Sequence, residues 1–581
     1  MRKVSLISGF ILCMISLICG QPIEENMPHI TGCIALQNAT IVTAPGATPY
    51  KGNVIIRDGL ITDVNAGGAI PPDAYTIKGD SLFVYPALID AFSYTGVKNP
   101  EGDGDRQNRS RPVVDGEGNP SLDDAGITPF QTVRASFDPK DKSIADWRQH
   151  GFAIAHVVPR GQMIPGMGSV IILNGEDADK MLWKENTSMY SQWSGARGAY
   201  PQTLIGVFAK WRELYQNASQ LVSHQAIYDS ESFVTRPHYN RAHEALIPVV
   251  KKEMPVYFRA PDAKNISRAL ALQDDLGMNM VIADAGEAWY FTDKLKSGAI
   301  PLVLSLKLPE DKSEKPKKEQ AKNAAPSDSV KTADTTAVAM ADPEKEAFEK
   351  RRAESLAEHR QQAGHMAKEG IPFSFGTMSA RTGDFMKNIR LMIENGLDSV
   401  QALAALTTQP AKLLGIDKYC GSIAPGKMAN IIVCTAPLFS EDNTIQYMMV
   451  EGALYQYEVK EKKKGDSKET LSQISLVEGT WAYLIDSPDQ VREGTFTFKK
   501  SGEEVVGTIT GQDMNDGGND KLDDIVIDGK TIAFTFGIEL GGQMTELEFD
   551  LEVDGDAMDG SVSVGEFGSF KVKGQRTDKP E

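Results

Sequence analysis

The sequence predicts an α/β protein whose main body is a (β/α)8 TIM barrel, led by a small β segment and trailed by an all-β domain. Three observations carry that expectation. First, uninterrupted apolar runs recur through the middle of the chain: FAIAHVVP (Phe152–Pro159), VYF (Val256–Phe258), MVIADAG (Met280–Gly286), PLVLSL (Pro301–Leu306) and IPFSFGT (Ile371–Thr377). Second, helical patterns such as NISRALALQDDLG (Asn265–Gly277) lie between them. Strands apolar on both faces need cover on both faces, and alternating helices supply it, so the sheet is expected to be parallel. The span of roughly 300 residues suits a (β/α)8 barrel with insertions. Third, beyond residue 473 short alternating strands follow one another with Gly/Asp turns: GTWAYLI, GTFTFKK, EVVGTITG, DDIVIDGKTIAFTF, ELEFDLEVDGDAMDGSVSV and GSFKVKGQR. That spacing predicts an antiparallel barrel or sandwich of about 100 residues over 473–577.

The remaining elements follow in order. Arg2 and Lys3 precede an apolar run from Val4 to Ile18 and then Cys19-Gly20-Gln21, the anatomy of a secretory signal over residues 1–20 with cleavage before Gln21. A retained anchor is the alternative, but the run is short for a spanning helix. No other segment is long and apolar enough to cross a bilayer, so export to the periplasm or medium is expected. ALQNATIV, NVIIRDGLITDV and YTIKGDSLFV read as strands of a small sheet, with Asp58-Gly59 as a hairpin turn. Two stretches read as insertions in the barrel: the Gly-, Asp- and Arg-rich Asn99–Asp124, and Pro309–Pro343, which has too little to bury to fold. Glu344–Lys368 reads as a charged surface helix. Short β runs return after Asp417, and residues 458–472 form a charged linker.

At 581 residues the chain is too long for one core. Its net charge of -18 argues against a nucleic-acid partner. Cys33, Cys420 and Cys434 remain after signal cleavage, too few for a disulfide scaffold and in no zinc-site spacing. No G-x-S-x-G elbow supports a serine hydrolase, and the Gly-rich Arg160–Gly168 lacks the residues of a phosphate-binding loop, so it reads as a barrel loop. The acidic Asp513–Asp524 reads as a hairpin loop rather than a calcium site, because it misses the EF-hand spacing. His238 and His243 lie in SFVTRPHYNRAHEAL, a helix-like stretch, but five apart they miss the i,i+4 zinc spacing. His156 sits on a barrel strand and reads first as a structural histidine. Trp481 reads as a core residue of the last domain.

Three blocks then bear on function. VYPALIDAFSY (Val84–Tyr94), WRQHGFAIAHVVPRGQMIPGMGSVIILNG (Trp147–Gly175) and ALAALTTQPAKLLGIDKYCGSIAPGKMANIIV (Ala402–Val433) resemble the amidohydrolase superfamily, nearest to imidazolonepropionase-like members. The third is the most specific: Thr407, Pro410, Ala411, Gly421-Ser422-Ile423, Gly426-Lys427 and Ala429 match the family's C-terminal signature, with Asn430 where aspartate is usual. The resemblance spans Ile34–Tyr457. It implies a barrel over 86–419 flanked by a composite β-sandwich domain assembled from 31–85 and 420–457.

The resemblance also implies where a divalent metal such as zinc would be held, and there the chain departs from the pattern. The two histidines of P-G-L-I-D-x-H-x-H fall at Phe92 and Tyr94. The histidine after the fifth strand falls at Arg259, that after the sixth at Asp284, and the aspartate after the eighth at Met378. None of the eight histidines lies near any of these positions. Family hydrolysis depends on a cation that lowers the pKa of bound water, and one acid beside a guanidinium cannot supply that. Two expectations stand. In the first the chain has no catalytic residue or metal of the family type, and binds a small-molecule ligand or an envelope protein, with Asp284, Arg259 and His156 as candidate ligand contacts. In the second it hydrolyses carbon–nitrogen bonds, such as those of cyclic amides, through a rearranged metal site built from Asp284, His156 and the acidic Asn99–Asp124 loop.

Overall fold

The computed structural model describes residues 32–99, 118–195, 198–309, 343–457, 470–471, 473–486, 491–501, 504–511, 520–540, 543–564 and 569–578. The signal segment, the body of both expected insertions, most of the 458–472 linker and most of the acidic stretch at 513–524 lie outside the described residues. The chain folds as two units, Glu25–Val459 and one containing Lys460–Glu581. Among the described residues no helix is long and apolar enough to cross a membrane.

The first unit opens with five strands: β1 (Cys33–Ile41), β2 (Tyr50–Arg57), β3 (Leu60–Asn65), β4 (Tyr75–Lys78) and β5 (Phe83–Pro86). Eight barrel strands follow: β6 (Leu88–Ser93), β7 (Phe152–Val157), β8 (Gly166–Ile172), β9 (Leu182–Gln192), β10 (Val256–Arg259), β11 (Met280–Ala285), β12 (Leu302–Ser305) and β13 (Phe373–Gly376). Then β14 (Ile431–Cys434), β15 (Ile445–Val450) and β16 (Ala453–Gln456) return to the first sheet, where β14 pairs antiparallel with β5. The composite domain is therefore one eight-stranded sheet drawn from both ends of the unit. Its core includes Leu36, Ile41, Val54, Val84, Ile431, Val433 and Met449. Two hairpin turns lock the halves together. Asp58 and Gly59 have φ of 51° and 80°, and Glu451 and Gly452 have 51° and 80°, the double positive φ of a type I′ turn. The turns touch: a Cβ on Gly59 would lie 2.7 Å from the Glu451 carbonyl oxygen.

The barrel sheet runs in the order β13-β12-β11-β10-β9-β8-β7-β6. Its strands carry the apolar runs, and β6, β7 and β11 are buried along their whole lengths. One strand departs from the parallel expectation: β8 pairs antiparallel with both β7 and β9. The reason is chain length. The connection at 158–165 is shorter than the dozen or so residues a parallel crossover needs, so the chain turns back. Residues 166–168, expected in a loop, thus begin a strand.

Helices cover the outside. The Ala263–Leu276 helix is capped by Asp262, which accepts from the Asn265 amide at 2.9 Å, and ends at Gly277 with φ 66°. Between β9 and β10 stand two helices, Leu204–Ser230 and Arg241–Val250. They bury Trp211, Leu214, Leu246 and Val249. The helix-like reading around His238 is corrected: Asn240 caps the second helix through the Ala242 and His243 amides, so His243 is helical and His238 precedes the helix. Pro343–Lys368 is a largely exposed helix, as its charge predicts.

Among its described residues the C-terminal unit has nine strands: β17 (Gly479–Asp486), β18 (Val491–Ser501), β19 (Glu504–Gly511), β20 (Asp520–Lys521), β21 (Asp523–Asp528), β22 (Thr531–Leu540), β23 (Gln543–Asp554), β24 (Ala557–Val564) and β25 (Ser569–Asp578). The paired neighbours are antiparallel, and β17 pairs with both β18 and β25, joining the first strand to the last in a barrel-like sheet. Alternation puts Trp481, Tyr483, Phe496, Phe498, Phe534 and Phe549 inside. The Trp481 indole donates to the Val477 carbonyl at 2.8 Å and sits under the Arg576 guanidinium at 4.1 Å, as a core residue.

Candidate functional site

The C-terminal ends of the barrel strands gather Phe92, Tyr94, Arg259, Asp284 and Met378, the positions singled out in the sequence. Phe92 is fully buried. Its ring packs against Tyr190 and Tyr257 at centroid distances of 5.5 and 5.9 Å. With Val158, Val281, Ala283 and Val303 these rings make one buried cluster on the barrel's inward face. Gly376 lets the last strand approach the first, since a Cβ there would lie 2.9 Å from the Phe92 carbonyl oxygen.

Asp90, two residues before Phe92, closes that seam. Its carboxylate accepts from the Phe92 amide at 3.0 Å and the Thr377 amide at 3.1 Å, and from the Thr377 hydroxyl. Burial nevertheless pushes the carboxyl up to about 7, against those hydrogen bonds. The sequence places Asp90 in register with the family motif but cannot show this joint.

Tyr94 turns its hydroxyl to that of Tyr190 at 2.9 Å. Tyr190 donates to Gln192 Oε1 at 3.1 Å, and Gln192 Nε2 donates to the Gly161 carbonyl at 2.6 Å. The Arg160 guanidinium lies over the Tyr94 ring at 4.2 Å. Sequence reasoning misses Tyr190, Gln192 and Arg160 as site residues, because nothing in their local sequence marks them.

Arg259 and Asp284 meet, as their charges require. Arg259 Nε donates to Asp284 Oδ2 at 2.8 Å, Arg259 Nη2 donates to the Ser379 hydroxyl at 3.0 Å, and that hydroxyl donates to Asp284 Oδ2 at 2.7 Å. The pair is lopsided: the Arg259 side chain is 31% exposed and that of Asp284 only 1%. Asp284 has φ 55°, in the left-handed region, where the β11–β12 register is irregular between Ile282 and Ala285. Irregularities of this kind at barrel rims re-aim side chains, and aspartate is among the few residues that tolerate the conformation. Met378 is half-buried alongside, and its amide donates to the Phe92 carbonyl at 3.0 Å.

His156 stacks against the Phe92 ring, with centroids 6.5 Å apart. It is fully buried, with Nδ1 3.1 Å from the Ala91 carbonyl oxygen and Nε2 2.9 Å from the Ser188 hydroxyl. Both ring nitrogens are engaged, and the ring packs 4.4 Å from that of Tyr257; most of the Asn99–Asp124 loop expected to join it in a rearranged metal set lies outside the described residues. Burial pushes the imidazole down to about 4 from 6.5. The unfolded chain therefore takes a proton that the folded barrel refuses. This contribution to stability is complete above pH 6.5 and is lost as pH falls from 6.5 towards 4, by roughly 3 kcal/mol. Asp90 acts in the opposite sense: its stability is complete below the usual 3.8 and is lost as pH rises towards 7. In calorimetry of the barrel transition across this range, His156→Gln should remove the acid-side loss and leave the opposite slope. A profile superimposable on the wild type would show that His156 is not the acid-sensitive group.

A metal is a poor fit for these donors. A phenyl ring has no lone pair, the guanidinium is a fixed cation, and a thioether is a soft, weak ligand for hard or borderline ions. The single carboxylate has one oxygen already taken by Arg259 and Ser379. Among the described residues no three His, Cys, Asp or Glu side chains are grouped to hold an ion. Cys33, Cys420 and Cys434 are buried, form no disulfide among the described residues and take no part in such a group.

Comparison with known proteins gives a partial family match and a shared fold. A model of the Amidohydrolase family matches residues 311–455, a stretch that contains the C-terminal signature at 407–429. An amidohydrolase from Thermotoga maritima MSB8 shares the fold with a TM-score of 0.57, at 20% identity over 73% of this chain and 100% of that one. Molinate hydrolase (14% identity, 73% of this chain, 94% of that chain, TM-score 0.36) and a zinc-bound adenosine deaminase from Xanthomonas campestris (14%, 74%, 94%, 0.38) are too distant in shape to add weight. No curated protein matches in sequence. Over 311–455 the chain is similar to the Amidohydrolase family, and its first unit shares the fold of the Thermotoga maritima amidohydrolase.

Proposed function

We propose that this protein is exported and does not carry out the metal-dependent hydrolysis of its superfamily, serving instead as a binding scaffold for a small molecule or an envelope protein. One observation carries the reading. Among the described residues, a buried phenyl ring, a hydrogen-bonded tyrosine, a guanidinium and a thioether stand at the barrel mouth with a single acid, Asp284, which is already paired. Hydrolysis by the family route needs a cation to generate hydroxide near neutral pH, and these side chains offer it no cage. The basic start and apolar run of residues 1–20 support export.

Protein recovered from the envelope or medium of expressing cells should begin at Gln21. After incubation with zinc, manganese or iron salts and gel filtration, it should hold only substoichiometric metal by elemental analysis. Stoichiometric metal would overturn the scaffold reading, and an N-terminus upstream of Gln21 would overturn the export route.

A further inference from the structure

Among the described residues the barrel mouth leaves one strong acceptor and one strong donor side by side without a partner. Asp284 Oδ1 is buried and has no hydrogen-bond partner among the described residues, while Oδ2 takes two donors. Buried polar atoms are nearly always paired, so each exception asks for a partner. Its backbone is held at φ 55° beside a register irregularity. Strain of that kind persists where the surroundings enforce it, and it concentrates at ligand sites. Arg259 presents the complement. Its Nε and Nη2 are taken by Asp284 and Ser379, and the side chain is 31% exposed, which leaves the Nη1 edge for a ligand. A second guanidinium, Arg160, stands over the neighbouring Tyr94 ring at 4.2 Å.

We propose that Arg259, Asp284 and Ser379 form a recognition site for a small carboxylic acid with a hydrogen-bond donor on the adjacent carbon, an α-amino or α-hydroxy acid. Arg259 receives the carboxylate on its open edge, the geometry in which guanidinium is most selective. Asp284 Oδ1 accepts from the neighbouring ammonium or hydroxyl. Ser379 holds the pair in place as a positioning residue, because its hydroxyl donates to Asp284 and accepts from Arg259. Tyr94 and Met378 border the site with apolar surface. The inference rests on the scaffold reading, since a metal at Asp284 would compete for the same oxygen.

The test is calorimetric titration of the full chain with the common α-amino acids, their α-hydroxy counterparts and, for each, the acid lacking the α substituent. At least one α-substituted acid should bind roughly tenfold or more tightly than its unsubstituted parent, the worth of one hydrogen bond to a charged group. Asp284→Asn, which suits the left-handed backbone, and Arg259→Lys, which keeps the charge but loses the planar edge, should each weaken that ligand by a similar factor. A preference for the amino over the hydroxy acid identifies the donor as ammonium, and the reverse as hydroxyl; either supports the site. No binding by any acid, equal binding by the unsubstituted parents, or binding unchanged in both variants would overturn it. If a variant loses its folded circular-dichroism spectrum, the wild-type ratio still decides. Stoichiometric metal uptake would sink the scaffold reading, whereas a chain that takes neither metal nor acid sinks only this site.

Discussion

Arg259→Met should lower the stability of the barrel unit by about 3 kcal/mol, more than the other single changes at the mouth. The cause is what it leaves behind. Asp284 is 1% exposed, so its charge stays buried with only the Ser379 hydroxyl as partner. Removing one member of a buried pair costs about 3–5 kcal/mol, and the lower end applies because the guanidinium side is 31% exposed. The double variant Arg259→Met/Asp284→Asn should recover much of the loss, since it removes the orphaned charge. Denaturation of the two single variants, the double variant and the wild type measures the coupling. Additive effects would mean that the 2.8 Å contact adds nothing to stability.

The double variant Phe92→His/Tyr94→His is the second large effect, and it should fail as a repair. Phe92 is fully buried against Tyr190 and Tyr257, so an imidazole there forfeits packing and buries polar nitrogens. Loss of a buried aromatic costs about 3–5 kcal/mol, and a histidine fills part of the space. Tyr94→His also breaks the hydroxyl contact with Tyr190. Two restored ligands would still face Arg259 and Met378 in place of the others. The variant should melt well below the wild type, hold no stoichiometric zinc and leave a model cyclic amide intact. Zinc retention or measurable turnover would falsify the misfit of the mouth to metal.

The strands are legible in the sequence because burial on both faces writes itself into runs such as MVIADA and LVLS. The last domain is legible because a half-buried strand alternates, as Trp481, Tyr483 and Ile485 do in β17. The antiparallel β8 is not legible, because its short apolar run looks the same in either direction and only the connection length decides. The helix at Leu204–Ser230 is hard to read because its apolar face covers only part of its length: Val207, Trp211 and Leu214 are buried, while Ile227 and Tyr228 are exposed. The five mouth positions can be named from short motifs, yet their neighbours Tyr190 and Gln192 cannot, since those come from β9.

By residue type alone the chain determined what its mouth can offer: no lone pair at Phe92, a permanent cation at Arg259 and one acid at Asp284. Donor chemistry belongs to the side chain and survives any fold. Tertiary structure decided the rest. It joined Asp90 to Thr377 across 287 residues, turned His156 inward to Ala91 and Ser188, and left Asp284 Oδ1 buried beside a half-open guanidinium. Local periodicity reports which face of an element is buried, but partners so far apart in sequence are chosen only when the barrel closes.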